Sequence, residues 1–242
     1  DQTDQTDQTD QTDQTDQTIK TIIEIGPGDS ICTALLASCF EIKSYLIDQG
    51  DYANKDISFY KKFSKYLNDR GLFTADISNV QNLQDILNKC NSSYLTNGIK
   101  DLNNIEESSI DVIFSQAVLE HIKKDSFEEY FKEFHRVVKD NGYCSHQVDL
   151  RDHLSESLNN LRFSDKIWES EFFSNSGFYT NRINHDKIIE ISNRIGFKSL
   201  SINEKKWTKI PTNPKNFSNQ FKNYNPDSIL IKSFDLKQYK NV

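Results

Sequence analysis

The chain has 242 residues, of which 36% are hydrophobic, 12% aromatic and 27% charged, with a formal net charge of -7. That length suits one large α/β domain or at most two small ones, and no window approaches the ~18 apolar residues that a membrane span needs. Overall acidity argues against a general nucleic-acid binder, but six aspartates of an Asp-Gln-Thr repeat over residues 1–18 carry most of it, leaving 30 acidic against 29 basic residues beyond.

The repeat has no apolar residue to bury and is expected to be a disordered tail, residues 19–242 forming the folded domain. There is no methionine, not even at position 1, so residue 1 need not be the translation start. Cys32, Cys39, Cys90 and Cys144 form no Cys-x-x-Cys pair and lie at no zinc-finger spacing. With no signal-peptide pattern, they predict a reduced, cytoplasmic protein without a metal.

From Ile19 strand-like and helix-like runs alternate, which predicts a doubly wound α/β domain, its sheet mostly parallel and covered by helices on both faces. The β-branched run Ile19 to Ile25 is the first strand and ends in Gly26-Pro27-Gly28. Asp29 or Ser30 is placed to cap a helix through about Phe40, with Ile31, Leu35, Leu36 and Cys39 on one face. Ser44 to Asp48 is the second strand, followed by helical stretches at 57–67 and 80–90, a third strand at 93–96 and a fourth at 110–115. Ser126-Phe127-Glu128-Glu129 has the form of a capping box for a helix that Gly142 would end. A fifth strand (143–149), a helix (185–195, stopped at Gly196) and a pair of strands (197–202 and 228–234) complete the count of seven.

The first strand, glycine turn and helix carry the clearest chemistry. A side chain in that turn would keep a nucleotide-like ligand from the backbone. Asp48, twenty residues after Gly28, sits where a carboxylate accepts ribose hydroxyls. A dinucleotide fingerprint would have a third glycine where Ile31 stands, and Glu24 beside the turn suits a ligand bearing ammonium and sulfonium charges better than a diphosphate.

Glu24-x-Gly26-x-Gly28 followed by Asp48 resembles the cofactor loop of class I S-adenosylmethionine-dependent methyltransferases. Ile110 to Ser115 with Gln116 to Ile122, Phe134 to Tyr143, and Ile188 to Phe197 are similar to later segments of that family, the likeness running over about residues 20–202. The resemblance implies a seven-stranded class I fold, S-adenosylmethionine as cofactor and S-adenosylhomocysteine as product. It implies that Glu24, Gly26, Pro27, Gly28 and Asp48 hold the cofactor, with Asn97, Ser115 and Gln116 nearby; Asn97 replaces an acidic residue common in the family. Ser145 to Leu154 and Asn159 to Phe163 look like a bacterial subgroup associated with surface glycans and related small molecules.

Methyl transfer to a hydroxyl needs an aligned acceptor and a base near the carboxyl ends of strands four and five. His121, after strand four, is either a turn cap or such a base; His146, inside strand five, is either interior or substrate-facing. Asp149, Arg151, Asp152 and His153 cluster past strand five. There His153 and Asp149 are catalytic candidates, while Arg151 and Asp152 are candidates to hold substrate. Residues 155–184 form an aromatic insertion expected to cover the active site, with Tyr179 and Arg182 the residues placed to touch the acceptor, although its aromatics equally suit a packing role.

The expected function is methyl transfer to a hydroxyl or amine of a small polar metabolite, a carbohydrate or surface-glycan precursor being one such acceptor, with no nucleic acid and no membrane as partner. The rival readings are a catalytically silent partner protein, a nicotinamide-dependent oxidoreductase, and a nucleic-acid methyltransferase. The last is disfavoured because Ser115-Gln116-Ala117-Val118 stands where an Asn/Asp-Pro-Pro-Tyr/Phe motif would be.

Overall fold

A computed structural model describes residues 18–241; the repeat up to residue 17, expected to be disordered, lies outside them. The β-branched run before Gly26 forms β1 (Thr21–Ile25), and its neighbours in chain order are β2 (Lys43–Ile47), β3 (Ser92–Leu95), β4 (Ile110–Gln116), β5 (Val138–Asp149), β6 (Phe197–Lys206) and β7 (Ile231–Lys240). They make a seven-stranded sheet in the order β3-β2-β1-β4-β5-β7-β6. β1 to β5 pair in parallel, while β7 runs antiparallel to both β5 and β6. This is the doubly wound, mostly parallel sheet that the strand-helix alternation predicts.

Helices α1 (Cys32–Ser38), α2 (Ile57–Asn68), α3 (Leu83–Lys89), α4 (Ile99–Leu102), α5 (Phe127–Val137), α6 (Asp165–Trp168), α7 (Glu171–Ser174), α8 (His185–Ile195) and α9 (Pro226–Ile229) are the helical elements. Period-two alternation in β2 sends Leu46 to one side, with Ile31, Leu35, Tyr60 and Ile86 of the α1–α3 layer, and Ile47 to the other, with Phe127, Phe131 and Phe134 of α5. Asp111, 3% exposed, ties the start of β1 to the centre of the sheet: its Oδ2 accepts the Lys20 and Thr21 N–H groups, both at 2.9 Å, and its Oδ1 pairs with Lys139 at 2.6 Å.

Several local expectations are corrected. Neither Asp29 nor Ser30 caps α1: Ile31 occupies the N-cap with no side-chain hydrogen bond, and Leu36 points outward while Ala34 packs inside. No capping box forms at Ser126, because residues 124–126 already turn as a 3-10 helix and leave Ser126 helical. α5 ends at Val137 rather than Gly142: Val138 is extended and pairs with Ile110, so Gly142 lies within β5, where the register shifts. The last strand starts at Ile231 because Pro226 opens a helical turn through Ile229.

Two segments cover the carboxyl end of the sheet near β5. The expected insertion at 155–184 folds as short turns and helices around Trp168, which is fully buried against Phe163, Phe173, Phe178 and Tyr179. Residues 207–230 lie against it through a third apolar cluster containing Leu158, Leu161, Phe217, Phe221 and Ile229. Among the described residues no helix is long and apolar enough to cross a membrane.

Candidate active site

Parallel strands deliver their carboxyl ends, and the loops that follow, to one edge of the sheet. β1 ends in a turn where Gly26 and Gly28 both adopt positive φ, +70° and +68°. A side chain at Gly26 would strike Val118 from the turn after β4, whereas at Gly28 it would meet nothing within 4 Å. Gly26 is therefore demanded by the protein's own packing, and the open space over Gly28 is available to a ligand.

Asp48 joins three strand ends at this turn. Its carboxylate accepts the Gly28 N–H at 3.0 Å and the Gln49 N–H at 2.7 Å; its backbone N–H donates to Leu95 O and its carbonyl accepts from Gly98, both at 2.8 Å. Glu24 is held under the same turn. Burial raises its carboxyl pKa, a Thr33 hydrogen bond lowers it and the nearby Asp48 charge raises it further, leaving it above the usual carboxylate value. Its Oε2 is buried with no partner. An unpaired carboxylate oxygen, an uncovered glycine and a second carboxylate at one turn fit a ligand that carries an ammonium group and ribose hydroxyls. Beside them runs a cleft of about 220 Å³ whose lining includes Gly26, Asp48, Gln49, Gly98, Val118, His121 and Tyr130.

A family profile described as a methyltransferase domain matches residues 23–145, just over half the chain. The chain belongs to the methyltransferase domain family. This methyltransferase has the class I fold. It resembles an S-adenosylmethionine-dependent methyltransferase from Methanosarcina mazei (15% identity, TM-score 0.56, covering 93% of this chain and 94% of that one). A putative S-adenosylmethionine-dependent methyltransferase from Listeria monocytogenes is also similar (17%, 0.50, 93% and 92%). So is Haemonchus contortus phosphoethanolamine N-methyltransferase 2, solved in complex with S-adenosylmethionine (14%, 0.50, 93% and 49%). No curated protein matches this methyltransferase in sequence.

The structure gathers Glu24, Gly26, Pro27, Gly28 and Asp48 at one turn, but disperses the other cofactor candidates. Asn97 is exposed, its backbone and amide N–H groups donating to Asp101, and Gly98 lines the cleft instead. Ser115 points into the core, where its hydroxyl shares a 2.8 Å hydrogen bond with His146 Nδ1; Gln116 is exposed. Gln49 and Tyr130, joined at 2.7 Å, are cleft residues that the sequence reading misses. Tyr130 falls on the helical apolar spacing of α5, and so reads as core alone.

Of the two alternatives for His121, a turn cap or a base, the geometry accommodates both. Nδ1 lies 2.9 Å from the Tyr179 carbonyl, which can only accept, so Nδ1 carries the proton and Nε2 keeps its lone pair. Desolvation by the surrounding walls, opposed by that hydrogen bond, holds the imidazole below its ordinary pKa; His153, edge-on at 4.8 Å, adds to the depression. His146 is interior: 1% exposed, stacked near Phe134 and Phe131, with its pKa pushed down to about 3 by burial.

The cluster after β5 is spent largely on itself. Arg151 clasps Asp149 through Nε and Nη2 and reaches Glu156 through Nη1. Burial raises the Asp149 pKa, but the Arg151 hydrogen bonds outweigh it and hold the group ionised below its usual value. Asp152, 1% exposed, accepts backbone N–H groups from Leu154, Ser155 and Asn159, so its carboxylate shapes the loop instead of holding substrate. His153 is exposed.

Tyr179 and Arg182, expected to touch the acceptor, are anchors of the cover. The Tyr179 hydroxyl donates to Glu169 at 2.7 Å. Arg182, at an uncommon positive φ of 59°, pairs with Asp165 at 2.5 Å and Glu169 at 3.2 Å and donates to Phe163 O at 2.7 Å. Its side chain is fully buried. Glu120 is a site residue not foreseen: 2% exposed beside His121, its carboxyl pKa raised by burial to about 8 and its Oε2 unpartnered. The placing of Glu120 and His121 as a pair between the apolar Leu119 and Ile122 is the one signal in the sequence.

Proposed function

We propose that this methyltransferase moves a methyl group to a hydroxyl or amine of a small polar metabolite, a carbohydrate or surface-glycan precursor being one acceptor of that class. When bound, S-adenosylmethionine supplies a methyl group already activated by its sulfonium. Glu24 would hold the ammonium of the cofactor's methionine part, the bare backbone at Gly28 would admit the ligand, and Asp48 would accept from the ribose. The protein's remaining task is to align the acceptor and, for a hydroxyl, to take its proton.

The observation that carries the reading is the fixed imidazole of His121. Its Nδ1–H is tied to Tyr179 O, and its ring lines the same cleft as Gly26 and Asp48. A neutral histidine with Nε2 free is a base at neutral pH, and His153 is placed beside it as a second ring. The two covering segments favour a small acceptor over a polymer, as does the near balance of 30 acidic and 29 basic residues beyond the repeat. Four free cysteines support a reducing, cytoplasmic setting.

The test is calorimetric titration with S-adenosylmethionine and S-adenosylhomocysteine, followed by detection of S-adenosylhomocysteine formed with panels of hydroxyl and amine acceptors. Binding of both ligands and turnover with a small acceptor is the expected result. Failure of both ligands to bind would overturn it.

A further inference from the structure

The cleft beside the glycine turn has a polar corner next to Asp48. There the exposed Gln49 side chain, two residues past β2, donates from Nε2 to the hydroxyl of Tyr130 on α5 at 2.7 Å, and all three residues line the cleft. Gly98, after β3, closes the corner. Its N–H donates to Asp48 O at 2.8 Å, and a Cβ on it would lie 2.9 Å from Tyr130 Oη and 3.1 Å from Gln49 Nε2. With a φ of +57° and no side chain, Gly98 leaves the room in which the amide and the phenol meet.

Tyr130 is the fixed end of this pair. It is 2% exposed and lies edge-on to Phe134, and burial pushes its pKa up to about 12, so it stays a neutral hydroxyl. Among the described residues the bond to Tyr130 is the one hydrogen bond of the Gln49 side chain, which leaves Oε1 and a second Nε2 proton unspent.

A carboxamide with its nitrogen tied back offers an acceptor and a donor side by side. That pair matches the edge of adenine, whose exocyclic amine donates beside a ring nitrogen that accepts, and it opposes a base with a carbonyl in place of the amine. Ile47, Val118 and Ile122 give the cleft the apolar walls that a flat base needs, and Asp48, the ribose candidate, immediately precedes Gln49. Asn97, the expected cofactor contact from the β3 side, has its backbone and amide N–H groups donating to Asp101 and does not line the cleft. Gln49 is the carboxamide that the cleft does present.

Resting on the S-adenosylmethionine reading above, we propose that Gln49 is the residue by which this chain reads the base of its cofactor, with Tyr130 the positioning residue that fixes which way the amide faces. The ligand selected is an adenine nucleoside, against the hypoxanthine form that differs only along that edge.

Calorimetric titration of the full chain with S-adenosylhomocysteine and with S-inosylhomocysteine, identical apart from the base, is the test. The wild type is expected to bind the adenine form about tenfold or more tightly. Gln49→Ala, at an exposed position where the fold is not at stake, brings that ratio close to one, chiefly by weakening the adenine form. Tyr130→Phe keeps the ring in the core and removes the tether, and lowers the ratio several-fold; a merely structural loss would weaken both ligands alike. Equal binding of the two ligands by the wild type, or a full ratio kept in Gln49→Ala, overturns the proposal, and a full ratio kept in Tyr130→Phe overturns the tether. In each of these cases S-adenosylhomocysteine still binds and the methyl-transfer reading stands. If the wild type binds neither ligand, that reading falls and the proposal with it.

Discussion

The Gly28 N–H donates to Asp48 Oδ2 at 3.0 Å across twenty residues of sequence, so the carboxylate proposed for the ribose also holds the glycine turn in shape. Removing it acts on both. Asp48→Ala is expected to weaken S-adenosylmethionine binding by about tenfold to a hundredfold and to cost about 1 kcal/mol of stability. Calorimetry and urea unfolding would check the two, and unchanged affinity would take Asp48 out of the site.

The two glycines of that turn respond differently. Gly28→Ala meets only the strain of a left-handed residue, about 1 kcal/mol, and folds, yet its methyl intrudes on the ligand and lowers cofactor affinity. Gly26→Ala adds a collision with Val118 Cγ2 at 2.5 Å and is expected to lose about 2–4 kcal/mol. Thermal unfolding of both variants checks the order; equal losses would contradict it.

Glu120 predicts a pH signature. Its folded pKa of about 8 lies above the ordinary 4.5, so between those values the folded state keeps a proton that the unfolded state releases, and stability falls as pH rises. Glu120→Gln removes that slope, and the variant should gain on the wild type from pH 5 to 8 by at most about 1.4 kcal/mol per pH unit. Urea unfolding at both pH values measures the difference; parallel curves would show that Glu120 is ionised throughout.

His121→Ala should leave cofactor affinity intact while lowering turnover about a hundredfold. In the wild type, activity should fall only in acid, below the ordinary imidazole pKa, because desolvation holds this ring neutral. A pH-rate profile and S-adenosylmethionine titration of the variant give both answers. Normal turnover in His121→Ala would leave the residue as a turn cap.

Arg182 holds the cover from inside. Arg182→Ala leaves Asp165 and Glu169 without their guanidinium and should cost about 3 kcal/mol, with cleavage by protease rising first within 155–184. Arg182→Lys should recover little, since an ammonium cannot replace the fork that reaches two carboxylates and the Phe163 carbonyl.

The sheet was legible in the sequence because local patterns decide it: β-branched runs ending in glycine or a carboxylate, and the aromatic spacing of Phe127, Phe131 and Phe134 on α5. The turn at Glu24, Gly26, Gly28 and Asp48 was legible for the same reason, being one strand-turn-helix unit and the strand beside it. What escaped depended on distant partners. Nothing around Ser115 tells that its hydroxyl meets His146 on the next strand, whereas Asp152 is the local exception, its oxygens closing on the N–H groups of Leu154, Ser155 and Asn159 just ahead of it. Arg182 reads as a ligand contact until Asp165 and Glu169, both within the insertion, are seen to surround it.

Both tryptophans of the chain belong to the covering layer: Trp168 is sealed in the insertion, and Trp207 packs on the cluster beneath it. The catalytic sheet itself has none. Intrinsic tryptophan emission is therefore a built-in optical reporter of the cover, blind to the sheet, and reads the environment of that layer without any label.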